Sequence, residues 1–331
     1  MKEKIYIPIK IDEIVVSNEI TKEIENSKDK KALLEIVGVD FTSINIEKQE
    51  EVLIQINKLL KQYKIWGIKI TSTPDSIDKN NLKLLKKYNV KEIVLVIESS
   101  NDYILKNIGV DYKSANNYIL NRCKRGHTFE DVKKASKQIK WYGFNLGHQM
   151  MVGLPESTVA DDFNTVRQVI KLKPEQVTLI PCNVDYNKNV ERLYEQNEFT
   201  PLSKIQLIER LKESIKLITH TKIRNIKIGE DSQSVEEMPM VQFRNLVASE
   251  IWYEKIIEMI KSYNVKVKEV EIEVNSSDID NIKGLENKNL VQLKDVYDVE
   301  LHVSENDKLE SGTYKMKILK TYTDFLEDNE N

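Results

Sequence analysis

The segment from Cys123 to Pro155 constrains the fold of this chain more than any other segment. Thr128 and Asp131 have the spacing of a capping box, which predicts that a helix begins there. Four apolar residues then recur at steps of three and four, which predicts one buried helix face: Val132, Ala135, Ile139 and Tyr142. A mostly apolar strand is expected at 144–152, directly after this helix. A helix that leads into a strand buried on both faces is typical of α/β proteins.

The same alternation of strand and helix extends along the chain. Strands are expected at residues 5–11, 32–39, 66–73, 91–98, 144–152 and 176–180. Helices are expected at residues 21–26, 46–63, 82–87, 160–172, 203–218 and 243–263, with capping residues at Thr158 and Ser203. Alternating strands and helices predict an α/β fold with a partial parallel (β/α)6 barrel. We place this barrel and its closing helices in residues 1–262, and a small α+β domain with an acidic tail in residues 263–331.

Composition excludes several classes of protein. The two cysteines, Cys123 and Cys182, are too few for a disulfide framework or a multi-cysteine metal site within one chain. No apolar run approaches membrane length, and the N-terminus lacks the apolar core of a signal peptide, so we expect a cytoplasmic protein without membrane contact. The net charge is −3; residues 261–331 carry 10 Lys and 16 Asp or Glu, and the rest of the chain is therefore at +3. Bulk charge does not predict nucleic-acid binding.

Several segments resemble one known family. RGHT at 125–128, followed by a helix and QMMVGLP at 149–155, resembles the second half of a radical S-adenosylmethionine (radical SAM) barrel. Segments 46–53, 82–93 and 243–256 also resemble the Elongator catalytic subunit family and its bacterial relatives, a branch of that superfamily. The resemblance covers about residues 5–273 and implies a barrel of the radical SAM type. In that family the cofactors are a 4Fe-4S cluster and S-adenosylmethionine (SAM).

The family's cluster motif is missing from this sequence. In the family, three thiolates of a CxxxCxxC loop after the first strand hold the cluster. Here the first strand leads into Asp12–Ser17, and the first cysteine of the chain is Cys123. We therefore predict no metal ligands, no catalytic residues and no cofactor. Both cysteines are expected to be buried thiols, and His127 and His148 to have structural hydrogen-bonding roles.

The positions that bind SAM in the family are also altered. The family's GGSFTG, TRPD and ExGxQS correspond here to GVDFTS at 38–43, STPD at 72–75 and VLVIES at 94–99. The residues that still match predict a vestigial SAM cleft: Gly38, Asp40, Asp75, Arg125 and Gln149. Two of these predictions have alternatives, since Asp40 could be a turn or helix cap and Arg125 a salt-bridge or surface charge. All the changes lie at the C-terminal ends of the strands, where such barrels keep their active sites.

Two other segments carry weaker signals. By comparison with the family, residues 101–122 contain an insertion of one or two helices. The turn at Gly284–Asn287 faintly resembles the GXXG loop of a KH domain, whose backbone binds nucleic-acid phosphates. The acidic charge of this region opposes RNA binding, so a packing or protein-contact domain is the preferred interpretation.

These observations lead to two functional hypotheses. The first is a non-catalytic binding or scaffolding protein, a pseudoenzyme of the radical SAM superfamily, with a protein partner or a second copy of itself. The alternative is an enzyme related to the radical SAM family that binds SAM or another small anion and modifies tRNA. It would work without its own cluster cysteines or with a partner. The sequence favours the first, with tRNA as a less supported partner.

Overall fold

Seven parallel strands form the sheet around which the larger part of the protein is built. The computed structural model describes residues 4–11, 31–108, 127–184, 188–223, 225–229 and 233–323. The strands lie in chain order and every neighbouring pair is parallel. They are β1 (Lys4–Lys10), β2 (Lys31–Val37), β3 (Gly67–Ser72), β4 (Val90–Glu98), β5 (Asn145–Val152), β6 (Gln176–Pro181) and β7 (Asn225–Ile228). Parallel neighbours require crossover connections, and from β2 to β7 helices supply them.

Several of the helices that connect or follow these strands begin with a side-chain N-cap. They are α1 (Ile46–Tyr63), α2 (Lys79–Lys87), α3 (Asp102–Ile108), α4 (Phe129–Trp141), α5 (Val159–Leu172), α6 (Lys188–Glu195) and α7 (Lys204–Thr219). The predicted capping box of α4 is present, because the Thr128 hydroxyl accepts from the Asp131 N–H and the Asp131 carboxylate accepts from the Thr128 N–H. Thr158 and Asp161 form the same box at α5. Each cap contributes about 1 kcal/mol to stability.

Side chains on the barrel strands alternate between a helix-facing side and a concave side. His148 on β5 makes a 2.9 Å hydrogen bond to the Ser136 hydroxyl of α4, so His148 marks the helix-facing side. Its neighbour Gln149 therefore belongs to the concave face, where it is in register with Val96 of β4 and Thr178 of β6. Helix-facing residues of the other strands are fully buried and form the main apolar core, among them Leu34, Ile70, Leu95 and Leu179.

The chain folds as two compact units. The first comprises Met1–Leu202 and Glu213–Gly229, and the second comprises Ser203–Lys212 and Glu230–Asn331. The sheet of the second unit has the order β11 (Glu300–Glu305), β10 (Val267–Val274) and β12 (Tyr314–Thr321), with a short hairpin of β8 (Ser234–Val235) and β9 (Met238–Pro239). Its helices are α8 (Met240–Ser262), α9 (Ile279–Lys283) and α10 (Lys288–Tyr297). Trp252 and Ile256 of α8 pack into the core of this unit with Val270 and Leu293.

The predicted fold class is confirmed, with a partial parallel barrel followed by a small α+β domain. β1 to β6 correspond to the six predicted strands, and the structure adds the short strand β7. In the small domain, α9 and α10 are separate helices that part at Gly284, which has a positive φ of 72°. The helix predicted at 21–26 and residues 109–122 of the predicted insertion lie outside the described residues, and the domain boundary at 262 stays a prediction. No helix in the described ranges is long and apolar enough to cross a membrane.

Candidate ligand cleft on the concave face of the barrel

Asp40 joins the ends of β2 and β3. Its Oδ2 accepts a hydrogen bond from the Thr73 hydroxyl at 2.6 Å, and its Oδ1 accepts from the Thr73 backbone N–H at 3.1 Å. The Ser76 hydroxyl donates to Oδ1 at 3.4 Å. Asp40 makes no helix-capping hydrogen bond. Both carboxylate oxygens of this predicted SAM-binding residue are therefore engaged by the protein's own chain. We call these three residues the β2–β3 clasp.

Two other predicted cleft residues lie near the clasp. Gly38 follows β2 with a φ of 78°, a left-handed conformation that favours glycine, and nothing lies within 4 Å of the position a Cβ would take. Asp75 is exposed on the short helical turn Pro74–Ser76 that follows β3. The structure thus places Gly38, Asp40 and Asp75 at one edge of the sheet; their role in a SAM cleft stays a prediction.

The remaining predicted residues are Gln149 and Arg125. Gln149 is half-buried on the concave face of β5, two strands away from the clasp. Arg125 lies outside the described residues, as does Cys123. The other cysteine, Cys182, is a buried residue with 2% of its surface exposed, which agrees with the expected buried role.

Branched apolar residues replace the family's glycine-containing wall on β4. Val94 is 3% exposed, and it occupies space that Gly147 on β5 leaves open. A Cβ on Gly147 would lie 2.9 Å from the Val94 Cγ2. Farther along β4 the strand bulges, and Glu98 takes a positive φ of 55°. A non-glycine residue in this conformation stores strain, which often occurs at ligand sites.

An apolar cluster lies on the β5 and β6 side of the barrel, towards the C-terminal ends of the strands. It joins side chains of β5 and β6 to α3, α6 and the loops around them. Its buried members are Ile104, Leu105, Ile108, Met151, Leu154, Ile180, Cys182, Val190 and Phe199. We call this cluster the apolar plug. Because Met151 and Ile180 are on the concave face, the plug fills part of that face near the C-terminal ends of the strands, where barrel active sites usually lie.

The concave face also contains several buried charges among its apolar residues, in contrast to the branched apolar layers that usually fill such barrels. Lys69 Nζ is 2.7 Å from Glu35 Oε1, and the Lys69 side chain is 3% exposed. Glu92 is 5% exposed and forms an ion pair with Lys4. The Tyr6 hydroxyl donates to Glu92 Oε2 at 3.1 Å. We call these side chains, together with that of Lys227, the charged layer: Lys4, Tyr6, Glu35, Lys69, Glu92 and Lys227.

Tyr6 lies at the centre of the charged layer. Lys69 and Lys227 each place Nζ 4.3 Å from the centroid of its ring, a favourable cation–π distance. Burial, and then the neighbouring Glu92 carboxylate, raises the pKa of Tyr6 well above its usual value. The phenol therefore keeps its proton at neutral pH and can donate a hydrogen bond.

Towards the C-terminal ends of the strands, the concave face of β1 to β5 is accessible to solvent. The residues there alternate with the buried helix-facing ones, and they are half-buried or exposed: Pro8, Val37, Thr71, Val96 and Gln149. This open groove has the charged layer as its floor. It offers hydrogen-bond donors and acceptors from Thr71, Gln149 and Glu35 to a polar ligand.

Sequence reasoning missed the charged layer. Its signal is present in the strand segments KALLEIV, GIKITS and VKEIVLVIE, which each place a charged residue between apolar neighbours. Such charges are rarely buried unless they are paired, so each one needs a partner. The partners come from distant strands: Lys4 and Glu92 are 88 residues apart. The pairing therefore becomes visible only when the register of the strands is known.

The two predicted structural histidines form hydrogen bonds. A His127 ring nitrogen lies 3.3 Å from the Ile97 carbonyl oxygen. His148 is fully buried, and this burial lowers its pKa from 6.5 to about 3, with a smaller effect from Lys140. Among the described residues, no group of three or more His, Cys, Asp or Glu side chains could hold a metal ion.

The sequence and the fold are similar to known proteins. The radical SAM superfamily matches residues 9–169. The tRNA uridine(34) acetyltransferase of Methanocaldococcus jannaschii is 24% identical over 227 residues, which are 62% of this chain and 41% of that protein. The enzyme of the same name from Methanocaldococcus infernus is 30% identical over 100 residues, 29% of this chain and 19% of the relative. The chain thus spans less than half the length of these two relatives.

A solved structure is similar to this chain in fold. The archaeal Elp3 of Methanocaldococcus infernus with an N-terminal deletion has a TM-score of 0.56 and 18% identity, covering 79% of this chain and 63% of that one. This likeness shows the fold. The chain therefore has a radical SAM barrel. In sequence the chain resembles the Elongator catalytic subunit family, as its RGHT and QMMVGLP segments predict.

Proposed function

We propose that this protein takes part in tRNA modification as a radical SAM-type barrel that binds tRNA without carrying its own iron–sulfur cluster. The sequence similarity to proteins named tRNA uridine(34) acetyltransferase suggests the substrate. Because the sequence has fewer cysteines than the three thiolates of the family's cluster motif, we assign the group-transfer chemistry to a partner. This protein's own residues would bind and orient the substrate.

The observation that carries the proposal is the set of charged and polar side chains on the concave face of the barrel. Removing an ion from water costs several kcal/mol unless it is paired. A barrel kept only as a scaffold could fill the same space with branched apolar side chains. The chain instead buries Lys69 and Glu92 and leaves Thr71 and Gln149 accessible above them. Bases of RNA are recognised through hydrogen bonds to their edges, and this groove supplies both donors and acceptors.

The chain's own residues do not fit the family's cluster. The sequence contains two cysteines, one fewer than the thiolates of the CxxxCxxC motif, and the described one, Cys182, is part of the apolar plug. Asp40 already accepts hydrogen bonds at both oxygens. We therefore derive no reaction step through a cluster or through SAM in this chain.

The proposal is tested by nucleoside analysis of tRNA. Mass spectrometry of tRNA from cells that lack the gene should show loss of a modified uridine, which the wild-type gene restores. A Thr71→Val/Gln149→Leu variant alters the groove with little change in volume and should fail to restore it. Gln138→Leu, on the half-buried side of α4, serves as the control and should restore it. Unchanged nucleosides, together with no tRNA binding by the purified protein, would show that the proposal is wrong.

A second function, a non-catalytic scaffold for a protein partner, is favoured by the apolar plug and the β2–β3 clasp. Both occupy the end of the barrel where the family binds its cofactors. Under this hypothesis, affinity purification of the protein from its native cells would recover one stoichiometric partner, and the Thr71→Val/Gln149→Leu variant would retain that partner. The modified nucleosides of tRNA would then be the same in cells with the groove variant and in cells with the wild-type protein.

A further inference from the structure

The N-terminal edge of the barrel sheet, opposite the cleft, carries lysines around two tryptophans. Because neighbouring strands are parallel, they all begin at this edge, and the helices that connect them end there. Lys31 and Lys91 place their Nζ atoms 4.6 and 5.8 Å from the centroid of the Trp66 ring. Trp66 is half-buried, and both lysines are partly accessible. This is the first of two clusters on the edge.

The second cluster surrounds the exposed Trp141 at the end of α4. The Trp141 side chain is 80% exposed, which is unusual for a large aromatic residue. Lys86 Nζ donates to the Tyr142 carbonyl oxygen at 2.7 Å, and Lys140 Nζ donates to the carbonyl oxygen of Leu172. These bonds place the end of α4 beside the ends of α2 and α5. They also place Lys140 close to Lys173, the residue that ends α5.

The lysines of the second cluster repel one another. Partial burial, and then the charge of Lys173, lowers the pKa of Lys140. Helix dipoles explain part of the arrangement, since cations are favoured in last turns. They do not explain an exposed tryptophan between the lysines. The exposed Glu175 lies at the same edge, with its Oε2 3.9 Å from Lys4 Nζ. The lysines of the two clusters outnumber this carboxylate, so the edge is positively charged.

We propose that this edge, defined by Lys31, Trp66, Lys86, Lys91, Lys140, Trp141 and Lys173 and called the basic face, binds the backbone and unstacked bases of RNA. Lysines neutralise phosphates, and aromatic rings provide stacking platforms for bases. The combination of the two is what distinguishes a nucleic-acid surface from an ordinary solvated one. The inference rests on the proposed function, because it assigns the tRNA to a surface distant from the cleft.

Fluorescence anisotropy with a labelled, unmodified tRNA transcript tests this surface at several KCl concentrations between about 50 and 200 mM. Lys140→Gln/Lys173→Gln should weaken binding about tenfold at the lowest salt and reduce the salt dependence by about two counterions. Lys31→Gln/Lys91→Gln should behave in the same way. Trp141→Ala should weaken binding about fivefold or more with the salt dependence unchanged, because it removes stacking and no charge.

A matched control lies on the same helix. Lys133 and Lys134 are exposed near the start of α4, at the other end of the barrel. Lys133→Gln/Lys134→Gln makes the same change in charge and should leave affinity within about twofold of wild type. Circular dichroism confirms that each variant is folded.

The outcomes separate the two proposals. If the wild-type protein binds tRNA and the basic-face variants bind it equally well, the proposal that the basic face binds RNA is wrong. The proposed function then stands. Equal losses in the Lys133/Lys134 control would also overturn the basic face, since they indicate unspecific charge effects. Displacement of tRNA by poly-glutamate at the same charge concentration would assign the face to acidic proteins. If the wild-type protein binds no tRNA, both proposals fail.

Discussion

The Lys69–Glu35 pair in the floor of the cleft gives the most direct test of the structure. Lys69→Met removes the cation from a site that is 3% exposed and leaves the Glu35 carboxylate, 20% exposed, without it. Breaking a buried pair in this way costs about 3–5 kcal/mol. Because Glu35 retains some contact with water, we expect a loss of unfolding free energy at or just below the lower end of that range, about 2–3 kcal/mol.

Replacing both partners should restore most of this stability. In Lys69→Met/Glu35→Leu neither charge is left without a partner, and apolar groups fill similar volumes. Such replacements are often neutral or stabilising. We therefore expect the double variant to lie within about 1 kcal/mol of the wild type. The remaining difference of about 0.5–1 kcal/mol is expected to come from the lost cation–π contact of Lys69 with the half-buried Tyr6.

Urea unfolding measures these differences. The protein has two compact units, so a single transition cannot be assumed. Trp252 belongs to the second unit, and a Trp252→Phe background leaves Trp66 and Trp141 as reporters of the barrel. The midpoint of the barrel transition should fall in Lys69→Met with an unchanged slope. A loss below about 1 kcal/mol, or a double variant as unstable as the single one, would refute the buried and coupled pair.

Three further predictions concern the barrel core and the clasp. Burial lowers the folded-state pKa of His148 from 6.5 to about 3, so the unfolded chain gains the proton first as the pH falls, and stability decreases between these values. Urea midpoints should show a loss of about 2 kcal/mol between pH 7 and about pH 5, and Ser136→Ala/His148→Leu should remove the contribution of this histidine. Gly147→Ala should cost about 1–3 kcal/mol because its Cβ would lie 2.9 Å from Val94 Cγ2, and Val94→Ala in the same protein should recover part of the loss in thermal unfolding. Asp40→Ala should lower the free energy of unfolding, measured with urea, by about 1–2 kcal/mol. Asp75→Ala, at an exposed position, should change it by less than about 0.5 kcal/mol. Equal effects of the two substitutions would contradict the β2–β3 clasp.

Local sequence signals predicted the frame of the barrel well. The Thr128–Asp131 and Thr158–Asp161 boxes are complete within four residues, so spacing alone identifies them. Strand and helix alternation then fixes a parallel sheet. The short strand β7 escaped detection because its four residues, Asn225–Ile228, have too few apolar neighbours to stand out.

The cleft was predicted less completely, for a physical reason. Gly38, Asp40 and Asp75 lie just after adjacent strands, and resemblance alone places them together. The interactions of Asp40 depend on a hydroxyl 33 residues away, and the charged layer depends on strands that are not neighbours in sequence. Sequence patterns report which face a side chain takes and not which partner it meets across the barrel.

The groove and the basic face lie at opposite ends of the same strands, and this separation permits a quantitative test of both proposals together. A strand of seven residues such as β1 spans roughly 23 Å, so substitutions at the two ends have no shared partners. If one RNA contacts both ends in one complex, the losses in binding free energy from Thr71→Val/Gln149→Leu and from Lys140→Gln/Lys173→Gln should add within about 0.5 kcal/mol. If the basic face holds RNA that never reaches the groove, the groove variant will bind tRNA as tightly as the wild type. The combined variant will then be no weaker than the basic-face variant. The second result would limit the proposed function to capture of tRNA, with recognition of the base left to the partner.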